Sequence, residues 1–421
     1  MPRRKLTTLI IIGLILVIVS YALILQPAVQ TWAGNHLMQL YSQIQIWLHP
    51  PQKVSFYASG PTAVSPYRTI TAEPPLVKSA TPTLAITPIP SAFMIYGGKY
   101  FSQHFKMNYC GPANLAMLLS YLNWVGTPDD IARVIKPFSK DKSVMPDEML
   151  DFIRFSGLDG IVRVGGDLEM LKRLIANGYP VLVEKGPHFQ EIQGNITWMG
   201  HYQVLNGYDD NNQVFTAQDS LIKADYPQPY VKLIEEWRSF NYTYIVAFQP
   251  EKRNEVLNLL GADADENTNY QRALRKAGEE TLKLRGVDQF FAFYNYGSNL
   301  VSLRDFAGAA KAYDTAFALY DSLPENMSIR PYRILWYQIG PYFAYYYTGR
   351  YTDVIKKATL NSIEMVRDGM PALEESYYWR GMAEIQIGEN QAAIDDFYTC
   401  LKYHSGFEVC LKALNDQGIY P

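Results

Sequence analysis

Cysteine is scarce: Cys110, Cys400 and Cys410 are the three in 421 residues, too few for a disulfide-dense scaffold or a four-thiolate zinc site. A dominant charge is missing too, since 38 basic against 41 acidic residues leave a formal net charge of -3. That balance makes no field to attract nucleic acid, and no nucleic-acid partner, metal or cofactor is expected. Cys400 and Cys410 lie close together. In an oxidising compartment they would bridge neighbouring helices, and otherwise they are two small buried packing residues; the sequence leaves both readings open. What is plentiful is apolar surface, 48% of residues, and tyrosine, 32 residues gathered toward the C-terminal third. The length and composition suit two or three globular units.

Charge is also absent from Leu6 to Leu25, directly behind the basic start MPRRK. A run of ~20 apolar residues at 1.5 Å rise crosses a ~30 Å hydrocarbon core. Basic residues on its N-terminal side place the tail in the cytoplasm and the rest outside. The alternative is a cleaved signal peptide, with an apolar region of ~7–15 residues ending in a small-residue motif; QPAVQTWAG matches that poorly, so a retained anchor over 1–27 is preferred. In the next segment, 28–92, Trp32, Leu37, Leu40, Tyr41, Ile44, Ile46 and Trp47 recur at near-helical spacing, as in an interfacial helix. From Pro50 to Pro90 the chain is rich in Pro, Ser, Thr and Ala and reads as a stalk. The expected location is a single-pass cell-membrane protein with extracytoplasmic domains.

Chemistry begins after Tyr100. Cys110-Gly111-Pro112 opens a helix whose apolar positions Leu115, Leu118, Leu119 and Leu122 keep helical spacing. Pro112 suits the first turn. Cys110 thus stands at a helix N-terminus, where the dipole favours the thiolate. About ninety residues on, 201–208 and 214–217 read as two strands joined by a turn rich in Asp and Asn. This hairpin sets His201 at the start of one strand and Asp219 just beyond the end of the other. A thiol, a base and a group that orients the base are what nucleophilic catalysis requires. His188 and His104 are weaker candidates for the base, and Glu184 and Asp167 read as solvated or structural.

This ordered set resembles the bacteriocin-processing (double-glycine leader) cysteine peptidases and their stand-alone relatives within the papain-like superfamily, over roughly Phe93 to Pro250. The resemblance implies Cys110 as nucleophile, His201 as general base and Asp219 as orienting acid. It also implies Gln103 as side-chain donor to an oxyanion hole, with the Cys110 N–H. Two departures stand out: Gln103 precedes Cys110 by seven residues where six is the spacing associated with papain-like enzymes, and Ser220 follows the acid where relatives usually show Asp-Pro. Between these landmarks, helices are expected over Thr127–Val134, Met145–Phe155 and Leu168–Ala176, with strands over Tyr179–Glu184 and Tyr242–Phe248. The expected unit, 93–250, is an α+β papain-like cysteine peptidase domain.

Beyond it, over 252–421, the pattern turns helical. Aromatic-rich stretches precede Gly297, Gly340 and Gly381, and each is followed by a second helix, Ala307–Leu319, Thr352–Met365 or Asn390–Leu401. Ala309, Tyr313 and Ala316 recur as Ala393, Phe397 and Cys400, and Gly406–Leu414 would cap the array. This resembles tetratricopeptide repeats stacked in an all-α solenoid, although the glycines lie 43 and 41 residues apart where ~34 is usual. The resulting expectation is a membrane-anchored extracytoplasmic cysteine peptidase acting on a peptide or protein, with a repeat domain that binds substrate or partner. The alternatives are a transglutaminase-like acyl transferase and a non-catalytic adaptor.

Overall fold

The computed structural model describes residues 89–420 except 104, 105, 107, 137–140, 142, 191–195, 327 and 361–372. The expected anchor, interfacial helix and most of the stalk lie outside the described residues, as does His104. Among the described residues no helix is long and apolar enough to cross a membrane.

Strands β1 (Ala92–Met94), β2 (Asp159–Arg163), β3 (Val181–Lys185), β6 (His201–Asp209), β7 (Val214–Asp219), β8 (Lys223–Pro229) and β9 (Tyr244–Phe248) form one antiparallel sheet. Its order is β2-β9-β3-β6-β7-β8. β6 is long enough to take β3 beside its first half and β1 beside its second. A separate ribbon pairs β4 (His188–Gln190) with β5 (Ile196–Trp198). The β6–β7 turn forms because Asp209 accepts the backbone N–H of Asn211 and Asn212 at 2.9 and 3.2 Å, while Gln213 takes a left-handed φ of 54°.

Two cores sandwich the sheet. On one face Leu182, Tyr202, Val204, Ile245 and Ala247 meet α1 (Cys110–Ser120), α2 (Pro128–Ile135) and α3 (Pro146–Phe155). On the other, Val181, Val183, Leu205, Phe215 and Val246 meet α4 (Leu168–Ala176) and α5 (Tyr230–Arg238). Alternation along β3 and β9 delivers side chains to both cores, which is why β9 and the first three residues of β3 are apolar. The helix starts are encoded locally. Asp130 accepts the Thr127 N–H at 2.8 Å behind Pro128, and Asp167 accepts the Met170 N–H at 2.8 Å.

After α6 (Arg253–Leu260) the chain continues as α7 (Glu266–Lys283), α8 (Gly286–Ser302), α9 (Phe306–Ser322), α10 (Ile334–Tyr337), α11 (Gly340–Tyr347), α12 (Tyr351–Ala358), α13 (Glu375–Gln386), α14 (Asn390–Tyr403) and α15 (Glu408–Asp416). One expectation needs correction. Gly340 does not sit inside an aromatic-rich helix as Gly297 and Gly381 do: with Pro341 behind it, it starts a new one, because proline lacks the N–H that a continuing helix needs. The helix expected over Thr352–Met365 is seen as α12 and continues helically to Leu360, with 361–365 outside the described residues. Gly297 and Gly381 both allow close helix contact. A Cβ on Gly297 would stand 2.9 Å from the Tyr313 ring, and one on Gly381 2.7 Å from the Phe397 ring. Cys400 and Cys410 form a disulfide, Cα to Cα 6.6 Å, that ties α14 to α15.

The helices pack directly on the sheet domain. Trp198 and Phe240 stack at 5.5 Å and enter the same core as Phe290, Phe291, Tyr294 and Tyr313. Asn269 exchanges hydrogen bonds of 2.8 and 3.1 Å with the backbone of Val164, and Arg238 pairs with Asp288 at 2.7 Å.

Candidate active site

Cys110 is the first residue of α1, and this helix start carries neither a side-chain cap nor an acidic residue in its first turn. The first N–H groups of a helix have no intrahelical partner, so here their partial positive charge stays available to the sulfur. In the loop leading to it, Asn108 takes a left-handed φ of 54°, which suits asparagine. Lys136 clamps that loop, donating to the carbonyls of Asn108 and Asp141 at 2.7 and 2.8 Å.

His201 opens β6, opposite Lys185 of β3. Its Nε2 lies 2.9 Å from Asp219 Oδ1, which leaves Nδ1 for the thiol, and Cys110 and His201 are hydrogen-bonded to each other. Asp219 was expected just past its strand; it is instead the last residue of β7, because Lys223 of β8 pairs with it. Both of its oxygens are engaged. Oδ1 also accepts the N–H of Leu221 and Ile222 at 3.0 and 3.1 Å, and Oδ2 accepts Gln203 Nε2 at 2.9 Å with Lys185 Nζ at 3.8 Å.

The electrostatics follow from these contacts. Burial alone would push the Cys110 thiol up, but the His201 hydrogen bond and charge, the Lys136 charge and the Tyr202 N–H outweigh it and hold the thiol below its ordinary value. Burial would likewise lower His201, yet Asp219 and the thiolate raise it to about 9. Asp219 is held at about 2: burial opposes ionisation, but His201 and Lys185 overcome it. Together these directions favour a thiolate–imidazolium pair at neutral pH. The pair appears as pH rises through the depressed thiol value and is lost as pH rises through about 9, where His201 gives up its proton. Alkylation of Cys110 by iodoacetamide, followed against pH, should therefore begin below the ~8.5 of a free thiol and show a second step near the imidazolium limb. A single step at the free-thiol value would mean that the pair does not form.

Gln103 is brought to the same place. Its N–H donates to the Ser220 carbonyl at 2.8 Å and its Oε1 accepts from Ser220 Oγ at 2.5 Å. His188 is not assembled with these groups; it lies exposed on β4, although its neighbour Phe189 packs edge-on against the His201 ring at 5.4 Å. Asp167 caps α4. Glu184 is not solvated. It is buried, accepts from the Tyr202 hydroxyl at 3.1 Å, and burial raises it to about 8.

Reading the sequence missed Lys136, Lys185, Gln203 and Asn114. Gln203 and Asn114 left a signal: one lies two residues beyond His201 on a strand and the other four beyond Cys110 on a helix, the spacings that share a face. Lys185, closing the apolar strand VLVEK, left none that separates it from a solvated strand end.

Among curated proteins, none matches this chain. A crystal structure of a Bacillus anthracis protein, provisionally designated a C39-like peptidase, is similar at 16% identity and a TM-score of 0.30, covering 37% of this chain and 96% of that one. A family model described as Peptidase_C39 like family matches residues 97–245. The family that the Cys110, His201 and Asp219 pattern resembles and the family of that model agree over residues 97–245.

Proposed function

We propose that this chain is a cysteine peptidase that cleaves peptide bonds through Cys110, His201 and Asp219. The observation that carries this is the unbroken line from the Cys110 thiol to His201 and on to Asp219 at 2.9 Å, with the thiol displaced toward its ionised form. The Cys110 thiolate adds to the scissile carbonyl carbon. The oxyanion so formed is met by the Cys110 N–H and the Gln103 side-chain NH2. The His201 imidazolium passes its proton to the leaving amine, giving a thioester; His201 then takes a proton from water, whose oxygen replaces the sulfur and releases the acid. Asp219 keeps the imidazole in one tautomer and supports its charge.

The proposal extends to placement. The uncharged run Leu6–Leu25 behind MPRRK would anchor the chain in a membrane with residues 28–421 outside. The Cys400–Cys410 bridge supports an oxidising compartment. The helical half would act as a tetratricopeptide-like platform that holds a peptide or protein at the cleft, a reading supported by the Tyr337 ring, which packs against Gly200 next to His201.

The test is mass spectrometry of peptides released from cell-surface extracts by wild type and by Cys110→Ala. New peptide termini made by wild type alone are expected. Identical peptide sets from both would overturn the hydrolase reading, and products carrying an added amine would replace it with acyl transfer.

A further inference from the structure

Asn114, Ser220 and Gln103 form a relay that links the nucleophile's helix to the residue after the triad acid. Asn114 Nδ2 donates to the Cys110 carbonyl at 2.9 Å and to Ser220 Oγ at 2.8 Å; Ser220 Oγ in turn donates to Gln103 Oε1 at 2.5 Å. Asn114 and Ser220 are both fully buried, so water does not compete for these bonds.

Donor and acceptor accounting fixes every orientation. The Cys110 carbonyl only accepts, so the Asn114 atom facing it is the NH2. The second hydrogen of that NH2 goes to Ser220 Oγ. Ser220 Oγ has lone pairs enough to accept twice, but its O–H is buried and needs an acceptor, which among the described residues is Gln103 Oε1, so Gln103 presents its carbonyl oxygen there. Its NH2 is then the end turned away from Ser220. The backbone makes the register rigid: the Gln103 N–H binds the Ser220 carbonyl at 2.8 Å, and the turn after Asp219 is pinned by Leu221 and Ile222.

We propose that Ser220 is a positioning residue whose hydroxyl, held by Asn114, fixes the Gln103 amide with its NH2 aimed at the oxyanion. This rests on the peptidase reading given above. Without the hydroxyl the amide loses its anchor, and the oxyanion donor is misaligned while the Cys110–His201 pair is untouched.

The experiment compares Ser220→Thr with Ser220→Val in the full chain. These side chains match in shape and differ in the hydroxyl, so any cost of fitting a larger residue cancels. Against a peptide that wild type cleaves, Val is expected to lower kcat about 10-fold relative to Thr, a part of the 10²–10³ that loss of a whole oxyanion donor costs, with KM unchanged. The pH dependence of Cys110 alkylation should be the same in both. In a Gln103→Ala background the Thr-to-Val difference should vanish. A difference that persists undiminished in that background, or alkylation profiles that shift between the two, would overturn the assignment. Wild type that shows no Cys110-dependent cleavage at all would instead overturn the peptidase reading, and this inference with it.

Discussion

His201→Ala is expected to lower peptide cleavage by roughly 10⁴-fold and to slow iodoacetamide alkylation of Cys110 at pH 6 by at least tenfold. The two losses have one origin. His201 supplies the hydrogen bond and the charge that hold the thiol below its ordinary value. Once they are gone, burial acts on the sulfur with only Lys136 and the Tyr202 N–H left to oppose it, and the thiol moves back toward or above ~8.5. At pH 6 fewer than about one molecule in a hundred would then carry a thiolate. Asp219→Asn tests the next link. Oδ1 accepts from His201, Leu221 and Ile222 and Oδ2 accepts from Gln203, so an asparagine must turn its NH2 on one set of donors whichever way it faces. Cleavage should fall by about 10²–10⁴-fold, and the His201 limb should move down from about 9, since Asp219 is what offsets burial there. Alkylation of His201→Ala at the wild-type rate would show that the imidazole does not govern the thiol.

The parts of this site that could be read beforehand are those written in local patterns. A helix opening at Cys110 follows from Gly-Pro and an apolar stripe, and the hairpin that carries His201 and Asp219 follows from alternation broken by Asp and Asn. Both depend on residues close in sequence. Lys136 and Lys185 were beyond reach because their roles arise from tertiary placement: Lys136 reaches back 28 residues to Asn108, and Lys185 reaches Gln228 and Glu236 across the sheet. Of the two readings open for Glu184, solvated or structural, the fold selects the second for the same reason, because only tertiary placement covers its carboxylate. Gly340 shows the limit of repeat matching. Its aromatic approach resembles the other two, but the Pro341 behind it starts a new helix, and that one residue outweighs the periodicity.

Residues 89–250 cut free of the helices are expected to be several kcal/mol less stable than in the full chain and, on the proposed peptidase reading, to lose nearly all activity. The cut exposes Trp198 and Phe240, which are 1% and 2% accessible in the intact chain. Burial of a large apolar side chain is worth about 1.5–3 kcal/mol, so the pair contributes roughly 3–6 kcal/mol, set against a usual domain stability of about 5–15 kcal/mol. Loss of partners adds to this. Arg238 loses Asp288, Asn241 loses the 2.8 Å bond to Asn299, and the Ser239 carbonyl loses Gln338 at 2.7 Å, although water can take up these groups once they are exposed. Activity suffers more than stability because of where the contact falls. Trp198 stacks on Phe240 and meets Phe291 and Tyr337 at 5.7 and 5.8 Å, and Tyr337 packs on Gly200, the residue before His201. The strand end that aims His201 is thus held from the helical side. Tyr337→Ala in the full chain separates the two effects: kcat/KM should fall severalfold while the melting temperature changes by only a few degrees. Residues 89–250 that fold with the full chain's melting temperature and cleave at its rate would show that the helices are a passenger, and that the sheet domain alone sets the geometry of His201.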